Sequence, residues 1–187
     1  MSPRRKTPSV HVPCHKRELP VHIRWMIRRD MKEVLRIENA CFEFPWSEPD
    51  FVTTLRQRNC IGMVAEHNER VVGYMVYELH KDQLHVLNFA VPPDFRRCSV
   101  GSTMAAKLAS KLSYQRRRKI TLEVRETNLT AQLFLREMGF RAVAVLKDFF
   151  GDTEEDAYRM QYVCRRPAMQ SAGLSDPDNL FGMPKAA

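Results

Sequence analysis

The spacing of apolar residues divides the chain into segments typical of helices and segments typical of strands. In four segments apolar residues recur every three or four positions, which is the spacing along one face of a helix. Asp30, Ser47 and Asn128 are expected to cap three of these helices, the fourth begins near Val100, and Gly139 ends the last one. Shorter apolar runs predict six strands, at 61–66, 70–79, 84–91, 120–124, 140–146 and 157–163.

The predicted elements follow the order helix, helix, three strands, helix, strand, helix, two strands. The polar residues His67–Glu69 suit a hairpin between the first two strands, and Pro92-Pro93 ends the third. A helix between the third and fourth strands requires a right-handed crossover. The pattern therefore predicts an α/β fold with a mixed, mostly antiparallel sheet flanked by helices.

Length and composition indicate one folded domain. The 187 residues include 44% hydrophobic and 28% charged residues, which is enough for a packed core. No apolar run approaches the roughly 20 residues that cross a bilayer, and no secretory signal is evident. Five scattered cysteines without a C-x-x-C pair favour a reducing compartment. Together these features predict a soluble cytoplasmic protein. We expect no functional metal, because Pro13 interrupts any helix that would align His11 with His15 and the cysteines do not cluster.

The net charge of +8 is concentrated near the N-terminus. Residues 1–29 carry eight basic residues and one acidic residue, and four prolines interrupt the first 20 positions. We expect a flexible basic arm over 1–20, one domain over 21–164 and a disordered tail over 165–187. The arm is interpreted as a solvated extension, with weak contact to an acidic partner such as ribosomal RNA as the alternative.

A second basic cluster lies inside the domain. Residues 96–119 contain eight basic residues and no acidic one, which suits either a solvated helix surface or a compact polyanion such as a phosphorylated cofactor. The run 92–102 joins a strand to a helix, and the free N–H groups at such a helix start can bind an anion. With Gly101 as its single glycine, this run has neither the Walker motif nor the dinucleotide motif.

The run 87–101 resembles the acetyl-CoA signature of the GNAT N-acetyltransferases. Further segments resemble the bacterial ribosomal-protein-alanine N-acetyltransferases (RimI type) in order and spacing: Phe44-Pro45-Trp46-Ser47, Leu122-Glu123-Val124-Arg125, Asn128, Met138-Gly139-Phe140 and Glu155-Asp156-Ala157. The resemblance covers roughly residues 22–163. It implies the GNAT fold, in which a splayed pair of central strands binds acetyl-CoA.

The resemblance also implies which residues bind acetyl-CoA. The strand segment expected to bind the pantetheine arm is Phe89, Ala90 and Val91. The loop expected to hold the pyrophosphate is Arg96, Arg97, Cys98, Ser99, Val100, Gly101 and Ser102. Asn128 matches a cofactor contact and is equally a helix cap. Since the family usually has glycine at the position of Ser99, where the backbone lies close to the phosphates, we expect weakened cofactor binding.

Glu123 is the one acidic residue inside the predicted strand 120–124. A carboxylate in a central strand is costly to bury unless it is paired or functional. Glu123 is therefore either a structural partner of Arg125 or another arginine, or a general base that removes a proton from an ammonium group, acting through water. It also matches the catalytic glutamate of the family, which favours the second interpretation.

The family's general acid, a tyrosine, is replaced here by Leu135. A thiol with a pKa near about 8.5 can leave as a thiolate without an acid. The replacement therefore predicts a slower enzyme, a substitute such as Tyr158, or loss of catalysis. For Tyr158 itself, packing as an ordinary strand aromatic is the favoured interpretation.

The resemblance implies an acceptor as well as a cofactor. The residues expected to line a peptide groove are Phe44, Pro45 and Trp46 together with Phe149 and Phe150. The implied function is acetyl transfer from acetyl-CoA to the α-amino group of a protein N-terminus, such as the alanine of a ribosomal protein. Two alternatives stay open: an enzyme of the same fold acting on a lysine or a small amine, and a degenerate module that binds acyl-CoA or the ribosome.

Overall fold

The structure is a computed structural model that describes residues 18–164. It contains one seven-stranded sheet in the order β1-β2-β3-β4-β5-β7-β6. The strands are β1 His22–Trp25, β2 Cys60–His67, β3 Arg70–Leu79, β4 Gln83–Ala90, β5 Lys119–Arg125, β6 Arg141–Phe150 and β7 Glu155–Val163. The helices are α1 Met31–Cys41, α2 Glu48–Leu55, α3 Val100–Ala109 and α4 Leu129–Glu137.

The predicted α/β fold with a mixed sheet is confirmed. Within the described range every strand pair is antiparallel except β4 with β5, which are joined by the crossover helix α3. The hairpin between β2 and β3 turns through Asn68 and Glu69, whose positive φ values of 47° and 61° suit a tight two-residue turn.

The edge strand β1 was not among the predicted strands. It has only four residues, and its burial does not alternate, so it carries no period-two pattern. Arg24 in this strand instead forms ion pairs with Asp30 at 2.7 Å and with Glu66 at 2.6 Å. Charged contacts with neighbouring segments therefore supplement the backbone pairing of β1 with β2.

The three predicted N-cap residues all stand at the N-cap positions of their helices, and two of them form side-chain caps. Ser47 Oγ accepts a hydrogen bond from Asp50 N, and the Asp50 side chain accepts one in return, which forms a capping box at α2. Asn128 Oδ1 accepts from Ala131 N at 3.1 Å at the start of α4. Asp30 makes no side-chain cap, because its carboxylate accepts from Arg24 and from Ile27 N at 2.9 Å rather than from α1.

The sheet has a hydrophobic core on each face. Side chains of α3 and α4, including Met104 and Leu135, belong to the larger cluster, the α3–α4 cluster. On the opposite face α1 and α2 contribute Val34, Ile37 and Phe51 to the second cluster, the α1–α2 core, and all three are completely buried. A side chain on a central strand therefore belongs to one of two distinct environments, which locates the site residues below.

The predicted arm 1–20 and tail 165–187 lie almost wholly outside the described residues, as do His11, Cys14 and His15. Leu19 is described, and its backbone N donates to Cys98 O at 3.1 Å while its side chain packs against the larger cluster. The end of the predicted arm is thus already attached to the domain. Within residues 18–164 no helix is long and apolar enough to span a membrane.

Candidate active site

Strands β4 and β5 separate part-way along the sheet. They pair at only three positions, the last being His85 with Thr121, although the strands continue to Ala90 and Arg125. On its other side β4 remains paired with β3 up to Ala90, with a register shift around Leu87. A bulge of this kind increases the local twist and turns the strand away from its neighbour. Beyond this point the facing edges of β4 and β5 form a cleft in which neither strand pairs with the other.

The loop after β4 contains two left-handed residues that are not glycine. Arg97 has a φ of 64° and Ser99 a φ of 63°. This conformation is costly for residues with a Cβ, which gives a conformational reason for the family's glycine at the position of Ser99. No side-chain cap is formed by Ser99; its carbonyl accepts from Thr103 N at 2.9 Å, which begins the hydrogen-bond ladder of α3.

The first turn of α3 faces the same loop. Since the ladder begins at Thr103, the amides of Val100, Gly101 and Ser102 precede it and stand at the positive end of the helix dipole. A Cβ on Gly101 would lie 3.2 Å from Phe134 Cζ of α4, so glycine allows the two helices to approach. The Phe134 ring in turn stacks on Phe89 of β4 at 6.1 Å.

Arg96 contacts the end of the splayed strand. Its Nε donates to Val91 O at 3.0 Å, and Cys41 Sγ lies 3.6 Å from the same carbonyl oxygen. Burial raises the pKa of the Cys41 thiol. Arg96 thereby joins the predicted phosphate loop to the predicted pantetheine segment, while its contact with a ligand stays a prediction.

Glu123 lies on β5, two residues beyond the last β4–β5 pair, with 8% of its side chain exposed. Its Oε1 accepts from Arg159 Nε at 2.8 Å, and its Oε2 lies 3.3 Å from His85 Nε2. The partner is therefore Arg159 and not Arg125. Because Leu122 and Val124 belong to the α3–α4 cluster, alternation along the strand places Glu123 on the face covered by α1 and α2.

His85, which no sequence pattern singled out, contacts Glu123. Its Nδ1 lies 3.1 Å from Thr121 Oγ1, which leaves Nε2 directed at the Glu123 carboxylate. The side chain is 23% exposed, so it connects a nearly buried acid to solvent. Only the pairing register of two parallel strands brings His85 to Glu123, and no local pattern in the sequence reports that register.

Leu135 and Tyr158 lie on the other face of the sheet. Leu135 is 7% exposed and belongs to the α3–α4 cluster, so it is a core residue with no proton to donate. Tyr158 pairs with Val124 and packs against the same cluster, as expected of a strand aromatic. It also lines an open cavity of about 630 Å³ between α4 and the strands β6 and β7, together with Leu129 and Leu133.

The connection between α1 and α2, residues 42–47, is called here the acceptor loop. Arg125 at the end of β5 links it to the β6–β7 turn, since its guanidinium lies 5.4 Å from the Phe44 ring and 4.0 Å from the Phe150 ring. The same guanidinium pairs with Asp152 at 2.6 Å and with Glu155 at 2.7 Å. The hydrogen bond from Arg125 lowers the pKa of Asp152.

The remaining predicted groove residues lie beside this cluster. Phe149 is 46% exposed and packs edge-on against Phe150 at 5.1 Å. Pro45 is exposed and precedes Trp46, whose ring packs edge-on against Phe51 of α2 at 5.2 Å. The two predicted halves of the groove, the acceptor loop and the Phe149-Phe150 pair, are therefore brought together around Arg125.

The arrangement combines a parted strand pair, an amide-rich helix start and a carboxylate at the edge of the cleft. Residues 31–140, more than half of the chain, match the profile described as the acetyltransferase (GNAT) family. The chain belongs to the GNAT acetyltransferase family. It is accordingly an acetyl-CoA-dependent N-acetyltransferase, as the sequence analysis predicted.

Two relatives within the GNAT family show which kinds of acetyltransferase this chain is similar to. The [ribosomal protein bS18]-alanine N-acetyltransferase of Escherichia coli K12 is 26% identical over 133 residues, which cover 70% of this chain and 89% of that protein. An N-alpha-acetyltransferase of Sulfolobus acidocaldarius is 29% identical over 159 residues, which cover 78% and 94%.

A solved structure agrees in fold. The crystal structure of the ribosomal-protein-S18-alanine N-acetyltransferase from Escherichia coli superposes with a TM-score of 0.70 at 22% identity, over 81% of this chain and 98% of that one. The fold of this chain is therefore the GNAT fold that the resemblance implied.

Proposed function

We propose that this GNAT enzyme acetylates the α-amino group of a protein N-terminus, with an alanine of a ribosomal protein as the favoured acceptor. The observation that carries the proposal is the position of Glu123. It is a nearly buried carboxylate on the acceptor-loop face of the sheet, two residues beyond the point where β4 and β5 part. Relatives named for acetylating the ribosomal protein bS18 alanine and for N-alpha acetylation support this acceptor class.

The acceptor must lose a proton before it can attack. An α-ammonium group has a pKa near about 7.7–8.0, so a carboxylate beside it, directly or through water, can remove the proton near neutral pH. The free amine nitrogen then forms a bond to the thioester carbonyl carbon, and the carbon–sulfur bond breaks. The second proton on nitrogen leaves by the same carboxylate, because the product amide is neutral.

His85 provides a route for the released protons in this proposal. Glu123 Oε2, which takes up the proton, lies 3.3 Å from His85 Nε2, and the partly exposed imidazole passes the proton to solvent. Arg159 keeps the carboxylate oriented through its 2.8 Å hydrogen bond to the other oxygen. These two partners assign a different role to each oxygen of Glu123.

The cofactor half of the site suits acetyl-CoA. The open backbone edge of Phe89–Val91 would bind the pantetheine arm, and the amides around Ser99 and Gly101 would hold the pyrophosphate. The departing sulfur has no acid at Leu135 and leaves as a thiolate, which solvent protonates because the thiol pKa is about 8.5. We therefore propose a working enzyme whose rate is limited by the missing acid, rather than a retired one.

The partner and its location follow from the acceptor. A ribosomal protein presents its N-terminus in the cytoplasm, and the basic residues of 1–20 would add weak contact with RNA. Such contact predicts an affinity for RNA that falls steeply with salt and disappears when residues 1–20 are deleted. Acceptance of a peptide would not depend on it.

Acetylation of peptides, followed by mass spectrometry, tests the proposal. Peptides beginning with Ala, Ser or Met, and a matched peptide with a blocked N-terminus and an internal lysine, are incubated with acetyl-CoA. We expect the label on the α-amine, with Glu123→Gln lowering kcat/KM by about 10²–10⁴-fold. Glu126→Gln, an exposed acid three residues further along, is the matched control and should leave the rate unchanged.

The other outcomes identify the alternatives. Labelling confined to the lysine of the blocked peptide or to small amines would replace the acceptor class but keep the chemistry. Binding of acetyl-CoA without any turnover, unaffected by Glu123→Gln, would instead establish a non-catalytic module.

A further inference from the structure

The carboxyl group of one glutamate is almost completely buried beneath the acceptor loop. Glu38, on α1, is 1% exposed and lies among the apolar residues of the α1–α2 core. Its Oε1 accepts from Trp46 N at 2.8 Å and from Asn88 Nδ2 at 3.1 Å, and its Oε2 contacts the hydroxyl of Tyr74. Nothing in the proposed reaction uses this carboxyl group, so its burial requires a separate explanation.

The contacts of Glu38 join the two halves of the proposed site. Trp46 belongs to the acceptor loop, whereas Asn88 lies on β4 immediately before the segment Phe89–Val91. The Trp46 backbone N–H is therefore tied, through one carboxyl group, to the strand that leaves β5. Ring contacts reinforce the tie, since Phe51 packs on Trp46 at 5.2 Å and on Tyr74 at 5.6 Å.

The number of protons available to the hydrogen bonds among Glu38, Tyr74 and Asn88 indicates whether the Glu38 carboxyl group is protonated. The Tyr74 hydroxyl touches both Glu38 Oε2 and, at 3.1 Å, Asn88 Oδ1, but it has only one proton to donate. Both contacts are hydrogen bonds only when Glu38 carries a proton on Oε2 and donates it to Tyr74, which then donates to Asn88. Burial raises the pKa of Glu38 in the direction this requires.

We propose that Glu38 is a positioning residue: as a neutral acid it holds the acceptor loop against β4 and so sets where the acceptor amine meets the cleft. The assignment of an acceptor to this loop rests on the proposed function, whereas the attachment of the loop to β4 through Glu38 is independent of that function. Removing the carboxyl group leaves the Trp46 N–H and the Asn88 amide without partners, and the loop is released to satisfy them in water.

The neutral state makes glutamine the informative substitution. In Glu38→Gln the amide oxygen still accepts from Trp46 N and Asn88, and the amide N–H replaces the acid proton toward Tyr74. We expect peptide KM and kcat within about twofold of the wild type. In Glu38→Leu we expect peptide KM to rise about tenfold or more, because leaving a buried donor unpaired costs about 1–3 kcal/mol and 1.4 kcal/mol is tenfold. The KM for acetyl-CoA should change much less.

A spectroscopic measurement makes the test independent of turnover. The sequence has two tryptophans, and Trp25→Phe removes the exposed one so that emission reports on Trp46 alone. In this background Glu38→Leu should shift the emission to the red and increase quenching by acrylamide, while Glu38→Gln should do neither. Val34→Ala, a fully buried change on the same helix, controls for loss of stability and should leave Trp46 unshifted.

Each remaining result has a defined meaning. The inference is overturned if Glu38→Leu leaves both Trp46 emission and peptide KM unchanged, or if Val34→Ala produces the same shift. If Glu38→Gln changes Trp46 emission and peptide KM as much as Glu38→Leu does, the inference that Glu38 is a neutral acid is overturned. If Glu38→Leu does not fold, Tyr74→Phe, which removes one hydroxyl, should give a smaller shift in the same direction. Failure of the proposed function would abolish turnover in all variants but leave the fluorescence comparison intact.

Discussion

Glu123 and Arg159 face each other across β5 and β7, with Arg159 Nε 2.8 Å from Glu123 Oε1. The pair explains how a carboxylate with only 8% of its side chain exposed is retained in the interior of a sheet. The second carboxylate oxygen, Glu123 Oε2, faces His85 instead and is available on the side of the cleft. A structural pairing and a catalytic role are therefore compatible in the same side chain.

Arg159→Met should lower the rate of acetylation. The substitution leaves Glu123 Oε1 without its 2.8 Å hydrogen bond and frees the carboxylate to turn away from the cleft. We expect kcat/KM to fall about tenfold, since losing a hydrogen bond to a charged group costs about 1.5–3 kcal/mol and 1.4 kcal/mol is tenfold. Arg159→Lys keeps the charge but loses the fixed Nε donor and should give a smaller fall. Initial rates measure both, and an unchanged rate in Arg159→Met would mean that Arg159 does not position the base.

Ser99→Gly should strengthen the phosphate loop. A non-glycine residue in the left-handed region costs roughly 1–2 kcal/mol, and glycine adopts it freely. We expect a higher Tm and tighter binding of CoA, measured by calorimetry. Ser99→Ala separates the backbone effect from the hydroxyl, since it keeps the Cβ and removes the oxygen. Weaker binding in both variants would show that the hydroxyl contacts the ligand.

Leu135→Tyr should accelerate the reaction if the missing acid limits it. We expect kcat to rise about tenfold, which is less than the 10²–10⁴-fold typical of a well-placed general acid. The larger ring overpacks a buried position and lowers Tm. Leu135→Phe has the same ring without the hydroxyl and provides the control. A rate gain shared by both variants would point to a packing effect and not to proton donation.

Arg125→Met should open the acceptor groove. The substitution removes the cation between the Phe44 and Phe150 rings and takes from Asp152 and Glu155 their ion-pair partner. We expect peptide KM to rise about five- to tenfold with acetyl-CoA KM unchanged, as for loss of a charged hydrogen bond of about 1–1.5 kcal/mol at a partly exposed site. The peptide KM of Arg125→Lys should lie between those of the wild type and Arg125→Met. An equal rise in both KM values would indicate general unfolding of the site.

The same cluster should contribute to stability only above acidic pH. The pKa of Asp152 is lowered by its hydrogen bond from Arg125, and that of Glu155 by hydrogen bonds from Thr127 and Arg125. A carboxyl group whose folded pKa is lowered contributes stability above its unfolded pKa and loses it as pH falls through the folded value. The Tm difference between wild type and Arg125→Met should therefore shrink as pH falls from about 5 to 3. A Tm difference that stays constant over this pH range would contradict the prediction that the ion pairs of Arg125 contribute to stability.

The strands and helices were largely predictable because each has a local pattern. The predicted 70–79 strand coincides with β3, and Ser47 begins α2 as its capping box indicated. Strand β1 escaped prediction because four residues around Arg24 are too few to show a period. Within the described residues, local patterns therefore identified the four α-helices and every strand except β1, whose backbone pairing is supplemented by ion pairs with other segments.

Glu123 could be selected from the sequence, but its surroundings could not. Glu123 stood out as an acid inside an apolar run, yet His85 and Arg159 reach it only through strand register. The positive φ of Arg97 is likewise set by the loop as a whole, since nothing in an arginine indicates it. Glu38 lay within a helical pattern, and only the packed structure shows that it is buried.

The parting of β4 from β5 also affects the mechanics of the molecule. Within the described residues, one half of the sheet comprises β1 to β4 and the other β5 to β7, and the two halves share only three backbone pairs. A seam with so few pairs is expected to open more readily than the rest of the sheet, and acetyl-CoA bound along it would pair with the free edge of β4. The enzyme should accordingly be stiffest when loaded and most compliant just after the product leaves, with backbone amides on both sides of the seam exchanging with solvent fastest in the empty state.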